Sequence, residues 1–96
     1  MMTQTEVFNC IKELVLTTDP ILSKEYHNDA SLVLRHFDSL DLVWFIARVE
    51  TKFCIPVDYD NLFKHTKSVE DFHNAVYPLI YSKQMQIMTY NSQRQK

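Results

Sequence analysis

The chain contains no glycine, and this absence limits the turns and the chemistry that it can build. Glycine is the residue that most readily adopts positive φ. Phosphate-binding loops, dinucleotide-binding fingerprints and the Gly-x-Ser-x-Gly nucleophile elbow all place glycine at tight turns. None of these motifs can form here, so the folds and reactions that depend on them are excluded.

The histidines and cysteines do not supply an alternative catalytic set. The four histidines lack the spacing of a metal site: His27, His36, His65 and His73. His36 is close to Ser39 in sequence but has no evident orienting partner or oxyanion hole. Cys10 and Cys54 show neither metal nor redox spacing, and we expect both to be reduced and partly buried. We therefore expect a protein that is not an enzyme and holds no metal.

Length and composition indicate one small domain. Ninety-six residues, 46% of them hydrophobic, can form a single core. A net charge of −2 gives no reason to expect nucleic-acid binding. There is no apolar run of about 18 residues, and the first six residues do not resemble a signal peptide. We expect a cytoplasmic protein without a membrane span, most simply a monomer.

Apolar spacing predicts an all-α fold with four helices. Helix I covers residues 5–17 and is broken by Asp19-Pro20; helix II runs from about Ser39 to Phe53. A short helix III covers residues 60–64. In helix IV, Ser68 and Asp71 predict a capping box, while Val69, Phe72, Ala75 and Val76 are expected to face the core. Pro78 is expected to end or kink it.

The remaining segments are expected to be irregular. Residues 20–37 form a long first connection, held to the core by apolar residues such as Leu32 and Phe37. Residues 1–80 are predicted to form the domain, and residues 81–96 a polar, flexible tail. That tail carries Lys83, Arg94 and Lys96 and no acid. Its apolar residues, Met85, Ile87, Met88 and Tyr90, leave a short docking helix as an alternative.

Helix II has two apolar faces. At about 100° per residue, one stripe is predicted to face the core: Leu42, Phe45, Ile46, Val49 and Phe53. Leu40, Trp44, Ala47 and Thr51 lie on nearly the opposite side. This second face is either a partner-binding surface or additional core against the long connection.

The start of helix II places a serine beside a carboxylate. Asp38 is expected to cap the helix, and Asp41 to reach back toward it as in a capping box. Ser39 then lies in the first turn with an exposed hydroxyl. One alternative is that Asp38 and Ser39 serve only as capping residues. The setting otherwise suits a serine that another enzyme modifies.

Three motifs in order resemble those of acyl carrier proteins. That family has an Asp-Ser-Leu attachment site, matched here by Asp38 to Leu40. Phe53 to Pro56 matches its Phe-x-Ile-Pro exit from helix II, and Ser68 to Phe72 matches its start of helix IV. The resemblance covers about residues 31–77 and is looser over residues 3–19. It implies a four-helix carrier-protein bundle with a long first loop and a short third helix.

The resemblance also implies the function. A magnesium-dependent phosphopantetheinyl transferase would attach 4′-phosphopantetheine from coenzyme A to Ser39, with Asp38 at the position that helps to hold the magnesium ion. The arm would carry acyl intermediates as thioesters for acyl-loading and acyl-processing enzymes. The implied partner-binding residues are Asp38, Leu40, Asp41, Trp44, Ala47, Arg48, Thr51 and Asp58.

Several departures indicate a specialised carrier. His36 and Cys54 stand where the family often has glycine, and Trp44 and Thr51 where it commonly has acids. Arg48 adds a positive charge to the same helix. A dedicated lipid, polyketide or nonribosomal-peptide pathway fits these changes. The alternative is an unmodified protein–protein interaction module with a carrier-like fold. A helix-turn-helix DNA-binding protein is disfavoured because no predicted helix has a basic face.

Overall fold

The protein is all-α. A computed structural model describes residues 2–94, apart from the side chains of Phe63 and of residues 91–94. In this part of the chain there is no strand, and the structure has six helices. They are α1 (Gln4–Thr18), α2 (Pro20–Glu25), α3 (Ala30–Arg35), α4 (Ser39–Phe53), α5 (Tyr59–His65) and α6 (Val69–Arg94).

Local capping fixes both ends of α1. Thr3 and Glu6 form a capping box, in which each side chain accepts a hydrogen bond from the other residue's backbone N–H. The buried stripe of the helix consists of Val7, Ile11 and Val15. Asp19 follows the helix in an extended conformation, so the predicted break at this residue is confirmed.

The long first connection is mostly helical, and the expectation of an irregular segment was wrong. Asp19 accepts a hydrogen bond from the Leu22 N–H at 3.0 Å and starts α2, whose first residue is proline. Asp29 does the same for the Leu32 N–H at 3.2 Å and starts α3. Both are N-caps, which form from local sequence and need no long amphipathic pattern.

Helix α4 has the predicted bounds, Ser39–Phe53, and the five predicted core residues of its stripe are buried. It ends at Cys54, which has φ 54° and ψ 46° and donates its N–H to the Glu50 carbonyl. This left-handed conformation usually requires glycine. The structure therefore places a residue with a side chain at positive φ where α4 ends. Cys54 is exposed and Cys10 half-buried, so partial burial is correct for Cys10 and wrong for Cys54.

Helix α6 begins as predicted but does not end at Pro78. Ser68 Oγ accepts from the Asp71 N–H at 3.1 Å, whereas the Asp71 carboxylate accepts from the Lys67 N–H instead of that of Ser68. The helix continues through Pro78 to Arg94, so the polar segment is helical as far as the structure describes it. Ala75 is exposed rather than part of the core. Lys96 lies outside the described residues.

The core lies where α1 packs against α2, α3, α4 and α6. Phe45 is fully buried, with ring centroids 4.9 Å from Phe72 and 5.9 Å from Phe37. Phe8 is only half-buried and packs against this core. The last buried apolar residue among residues 2–90 is Ile80, so α6 extends beyond the core. No helix within residues 2–94 has the length and apolar character needed to cross a membrane.

Candidate functional site

Ser39 is the first residue of α4 and is exposed. The preceding Asp38 has extended backbone geometry, and its Oδ1 accepts a hydrogen bond from the Asp41 N–H at 2.8 Å. The predicted cap is therefore confirmed. Because Asp38 performs the capping, the Ser39 side chain is not needed to start the helix. It is left at the surface, beside a carboxylate and at the positive end of the helix dipole.

The half-buried carboxyl of Asp41 lies close both to the Asp38 backbone, toward which it was predicted to reach, and to the Asp19 side chain. Burial raises the pKa of the Asp41 carboxyl, and a hydrogen bond to the Asp19 side chain and the charge of Asp19 raise it further. The charge of Asp38 acts in the same direction, and the hydrogen bond to the Asp38 backbone opposes it. The acidic residues at the start of α4 thus include one whose ionisation is disfavoured by its surroundings.

His36, the titratable ring nearest to Ser39 in sequence, is held against neighbouring helices. Its Nδ1 lies 2.8 Å from the Leu32 carbonyl oxygen of α3. Its ring stacks on that of Tyr26, with centroids 4.2 Å apart. These contacts orient the imidazole toward the connection that precedes α4.

The second face of α4 lies outside the core. Leu40 is 80% exposed and Trp44 is 58% exposed. Ala47 and Thr51 are also exposed. The alternative that this face is additional core against the first connection is therefore wrong. Val43, which belongs to neither of the two predicted faces, is 54% exposed and widens the apolar surface.

A shallow groove brings part of the predicted partner-binding set together. It runs along one side of α4 and touches α1, and it is lined by Leu14, Trp44, Ala47, Arg48, Thr51 and Lys52. Asp38, Leu40 and Asp41 lie at the N-terminal end of the same helix, outside the groove lining. Asp58 belongs to a different element: it caps α5 by accepting from the Asn61 N–H at 3.2 Å.

Arg48 makes structural contacts inside that groove. Its Nη1 donates to the Leu14 carbonyl at 3.2 Å and to Thr18 Oγ1 at 3.0 Å, and its Nη2 donates to Thr17 Oγ1 at 2.9 Å. All three acceptors lie near the C-terminal end of α1, where the helix dipole favours a cation. The sequence predicts Arg48 only as part of the partner surface. The sequence does not indicate that this arginine has a hydrogen-bond partner 30 residues earlier in the chain, at Thr18.

An apolar cavity of about 240 Å³ lies on another side of α4. Residues of α3, α4, α5 and α6, together with the segments that join them, line it: Leu34, Arg35, Phe37, Leu42, Ile46, Leu62, Thr66, Lys67 and Phe72. Phe37 and Leu42 are two residues before and three residues after Ser39. The periodicity of α4 identified Leu42 and Ile46 as core, but no sequence pattern indicated the cations Arg35 and Lys67.

Within residues 2–94 there is no group of three or more histidine, cysteine or acidic side chains that could hold a metal ion. Cys10 has a pKa raised above its usual value, chiefly because of burial.

The arrangement at the start of α4 offers an exposed hydroxyl, a neighbouring carboxylate, an apolar surface and an adjacent cavity.

No family model matches this chain, and neither a curated protein nor a solved structure is found that matches it.

Proposed function

We propose that the protein is an acyl carrier protein and that Ser39 is its attachment site for 4′-phosphopantetheine. The observation that carries the proposal is the exposed Ser39 hydroxyl in the first turn of α4, directly after the capping Asp38. A transferase can reach a hydroxyl in this position without unfolding the helix, because the cap is provided by another residue.

The chemistry required of the chain is limited to presenting that hydroxyl. In the transfer, a bond forms between Ser39 Oγ and the phosphorus that bears pantetheine, and the bond from this phosphorus to the adenosine bisphosphate half of coenzyme A breaks. The hydroxyl proton leaves with the aid of the transferase. Asp38 is exposed beside Ser39 and fits the position of a carboxylate that helps to hold the magnesium ion of the transferase complex. The terminal thiol of the arm then supplies thioester chemistry.

The finer fold assignment forms part of the proposal. The helices α1, α4, α5 and α6 follow the order of the four helices of a carrier bundle, with α5 short, as the family pattern requires. Helices α2 and α3 then occupy the long first connection. The positive φ of Cys54, where the family often has glycine, supports the same alignment.

The exposed face of α4 is proposed as the surface for acyl-loading and acyl-processing partners, in a cytoplasmic monomer. Leu40 and Trp44 provide apolar contacts, and Asp38 provides charge next to the attachment site. Apolar anchors, tryptophan prominent among them, dominate binding energy at many interfaces. A flexible arm tethered beside this surface would raise the effective concentration of its cargo at a bound partner.

Intact-mass spectrometry after incubation with coenzyme A, Mg²⁺ and a broad-specificity phosphopantetheinyl transferase tests the proposal. We expect the wild type to gain the mass of one phosphopantetheine group and Ser39→Ala to gain none. Ser68→Ala is the matched control, since Ser68 also lies at a helix start but serves as a plain cap. Modification that persists in Ser39→Ala would contradict the assignment of the site.

The second candidate is an unmodified interaction module, which the exposed Trp44 favours. An unmodified wild type in the mass experiment, combined with partner binding that is lost in Trp44→Glu, would select this function over the carrier.

A further inference from the structure

The C-terminal half of α6 projects beyond the core. Ile80 is the last buried apolar residue among residues 2–90, and the helix continues to Arg94. At about 1.5 Å per residue, the helix runs on for about 21 Å past Ile80. The molecule measures 53 Å along its longest axis and 25 Å along the next. We call residues 81–94 the α6 extension.

One side of the α6 extension is apolar. At about 100° per residue, four apolar residues fall within about 160° of the helix circumference: Tyr81, Met85, Ile87 and Met88. Gln84 is the one polar residue of 81–90 inside this arc. Between 39% and 50% of each of the four side chains is exposed, so the rest of the described chain leaves this face largely uncovered. The other side of the helix carries Ser82, Lys83, Gln86, Thr89 and Tyr90.

The charge of the chain is divided between its two ends. All 12 acidic residues lie at or before Asp71, together with seven of the ten basic residues, so residues 1–71 carry a net charge of −5. Lys83, Arg94 and Lys96 give residues 72–96 a net charge of +3. A negatively charged partner is therefore attracted to the α6 extension and repelled by the remainder of the protein.

We propose that the α6 extension binds the surface of an anionic lipid bilayer, with its axis parallel to the surface, its apolar side toward the acyl chains and its positive charges near the lipid phosphates. Helices with an apolar face and a basic polar face bind in this way, and anionic headgroups attract nearby lysine and arginine. A tyrosine such as Tyr81 suits this interface, because its ring is apolar and its hydroxyl is polar. A bilayer also needs no groove to receive a projecting helix.

A second copy of the chain is a poorer occupant of the same face. Pairing two α6 extensions would bring like charges together, with no acid in residues 72–96 to offset them. The apolar groove on α4 is lined by Arg48 and Lys52 and by no acid, so it would also repel a basic helix. Binding through the α6 extension does not involve Ser39 and is independent of the proposed carrier function.

Vesicle co-sedimentation of the full-length protein tests the proposal. At low salt, we expect binding to vesicles of phosphatidylcholine mixed with phosphatidylglycerol to be about tenfold tighter than binding to phosphatidylcholine alone. Added salt should weaken the binding, because ions screen the attraction. Equal binding to the two kinds of vesicle, or no binding to the anionic ones, would overturn the proposal.

The apolar contact is tested by Met85→Gln/Met88→Gln, which keeps the charge and replaces two exposed side chains. It should bind anionic vesicles about tenfold more weakly. Ile21→Gln/Leu79→Gln is the matched control, because it replaces two exposed apolar residues outside the apolar side of the α6 extension, and it should bind as the wild type does. Light scattering provides a further check: a dimer that is lost only in Met85→Gln/Met88→Gln, without vesicle binding by the wild type, would assign the face to a second copy and overturn the proposal.

The charged contact is tested by a second pair of variants with equal net charge. Lys83→Gln/Arg94→Gln should weaken binding to anionic vesicles about tenfold. Lys24→Gln/Lys64→Gln removes two exposed cations from α2 and α5 and should weaken it by less than about twofold. Circular dichroism checks that every variant keeps its helix content. Equal losses of affinity within either pair would overturn the proposal.

Discussion

Arg48 donates a hydrogen bond of 3.0 Å to the hydroxyl of Thr18 and thereby ties α4 to the end of α1. The same guanidinium also reaches the Leu14 carbonyl and the Thr17 hydroxyl. The Thr17 and Thr18 hydroxyls in turn donate to carbonyls of the preceding turn, at 2.8 Å and 2.7 Å. Arg48 thus belongs to a network between two helices, in addition to its place on the proposed partner surface.

Replacing Arg48 with alanine should destabilise the fold. Three charge-assisted contacts are lost, and the guanidinium is part-buried, so we expect the free energy of unfolding to fall by about 1–2 kcal/mol. Chemical denaturation followed by circular dichroism measures this change. Lys52→Ala is the matched control, because Lys52 lines the same groove but is exposed. It should change stability by no more than about 0.5 kcal/mol. Equal effects of the two substitutions would show that the network does not stabilise the fold.

Ser39 should be dispensable for folding, whereas Phe53 should not. Ser39 is exposed, and Asp38 provides the helix cap, so Ser39→Ala is expected to change the free energy of unfolding by at most a few tenths of a kcal/mol. Phe53 is buried, and Phe53→Ala is expected to cost about 3–5 kcal/mol. Thermal melts distinguish the two variants. Asp38→Ala should be intermediate, at about 0.5–2 kcal/mol. Comparable losses for Ser39→Ala and Phe53→Ala would mean that Ser39 has a structural role.

The elements that sequence predicted best are those with a long amphipathic pattern. The 15 residues of α4 repeat their apolar stripe over four turns, and both ends coincide with the prediction. The exposed position of Trp44 follows from the same geometry. Helices α2 and α3 have only six residues each. Too few turns are present to establish a period, although Asp19 and Asp29 were recognisable as potential caps.

Tertiary contacts explain the other differences. The Asp41 carboxyl lies close to the Asp38 backbone, as its capping-box spacing predicts, and also to Asp19, which folding brings from an earlier part of the chain. Pro78 lacks an N–H and is expected to end or kink the helix. Yet α6 continues past it, with Val76 and Ile80 buried on either side of the proline. The cavity could not be predicted, because its lining joins residues from Leu34 to Phe72.

Cys54→Gly should stabilise the protein. Cys54 adopts φ 54°, where a side chain is sterically disfavoured and glycine is not. We expect the free energy of unfolding, measured by chemical denaturation, to rise by up to about 1 kcal/mol. The greater entropy of glycine in the unfolded chain offsets part of the gain. Cys54→Ala is the control, since it removes the thiol but keeps Cβ, and it should leave stability nearly unchanged. Destabilisation in both variants would indicate that the Cys54 thiol, which lies 3.9 Å from the Thr51 carbonyl oxygen, stabilises the end of α4. Destabilisation by glycine alone would contradict the proposed steric cost of Cβ at this position.

Asp41→Asn should increase stability near neutral pH and have little effect in acid. Because folding raises the pKa of the Asp41 carboxyl, the folded state holds this proton more tightly than the unfolded chain. The contribution of the protonated group is fully present below its unfolded pKa of 3.8 and is lost as pH rises through the folded pKa. Asparagine carries no charge at any of these pH values. The difference in melting temperature between variant and wild type should therefore grow as pH rises above 3.8.

The Asp19→Asn background separates the causes of that shift. Asparagine can still accept the hydrogen bond from the Leu22 N–H and keep α2 capped. It removes the carboxylate that contributes to raising the pKa of Asp41. Asp41→Asn should then give a smaller gain, since burial and Asp38 remain. A gain of the same size in both backgrounds would exclude Asp19 as a contributor.

Trp44 should report directly on the exposed face of α4, because it is the only tryptophan of the chain. With 58% of its surface exposed, it should emit at long wavelength and be quenched readily by iodide. Trp44→Glu should change the free energy of unfolding by no more than about 0.5 kcal/mol. A blue-shifted, quencher-resistant emission, together with a large stability loss in Trp44→Glu, would place the ring in the core.

The same substitution tests the role of this face in partner recognition. If the proposed carrier function is correct, Trp44→Glu restores the charge type common at this position in the carrier family. It should weaken binding to the cognate partner, measured by calorimetry or surface plasmon resonance. Leu79→Glu is the matched control, because Leu79 is an exposed apolar residue on α6, outside the α4 groove. Binding energy is concentrated in residues at the interface, and Leu79 lies outside the proposed interface, so Leu79→Glu should retain wild-type affinity. Equal loss in both variants would indicate a general effect of added negative charge, and unchanged binding in both would remove Trp44 from the partner surface.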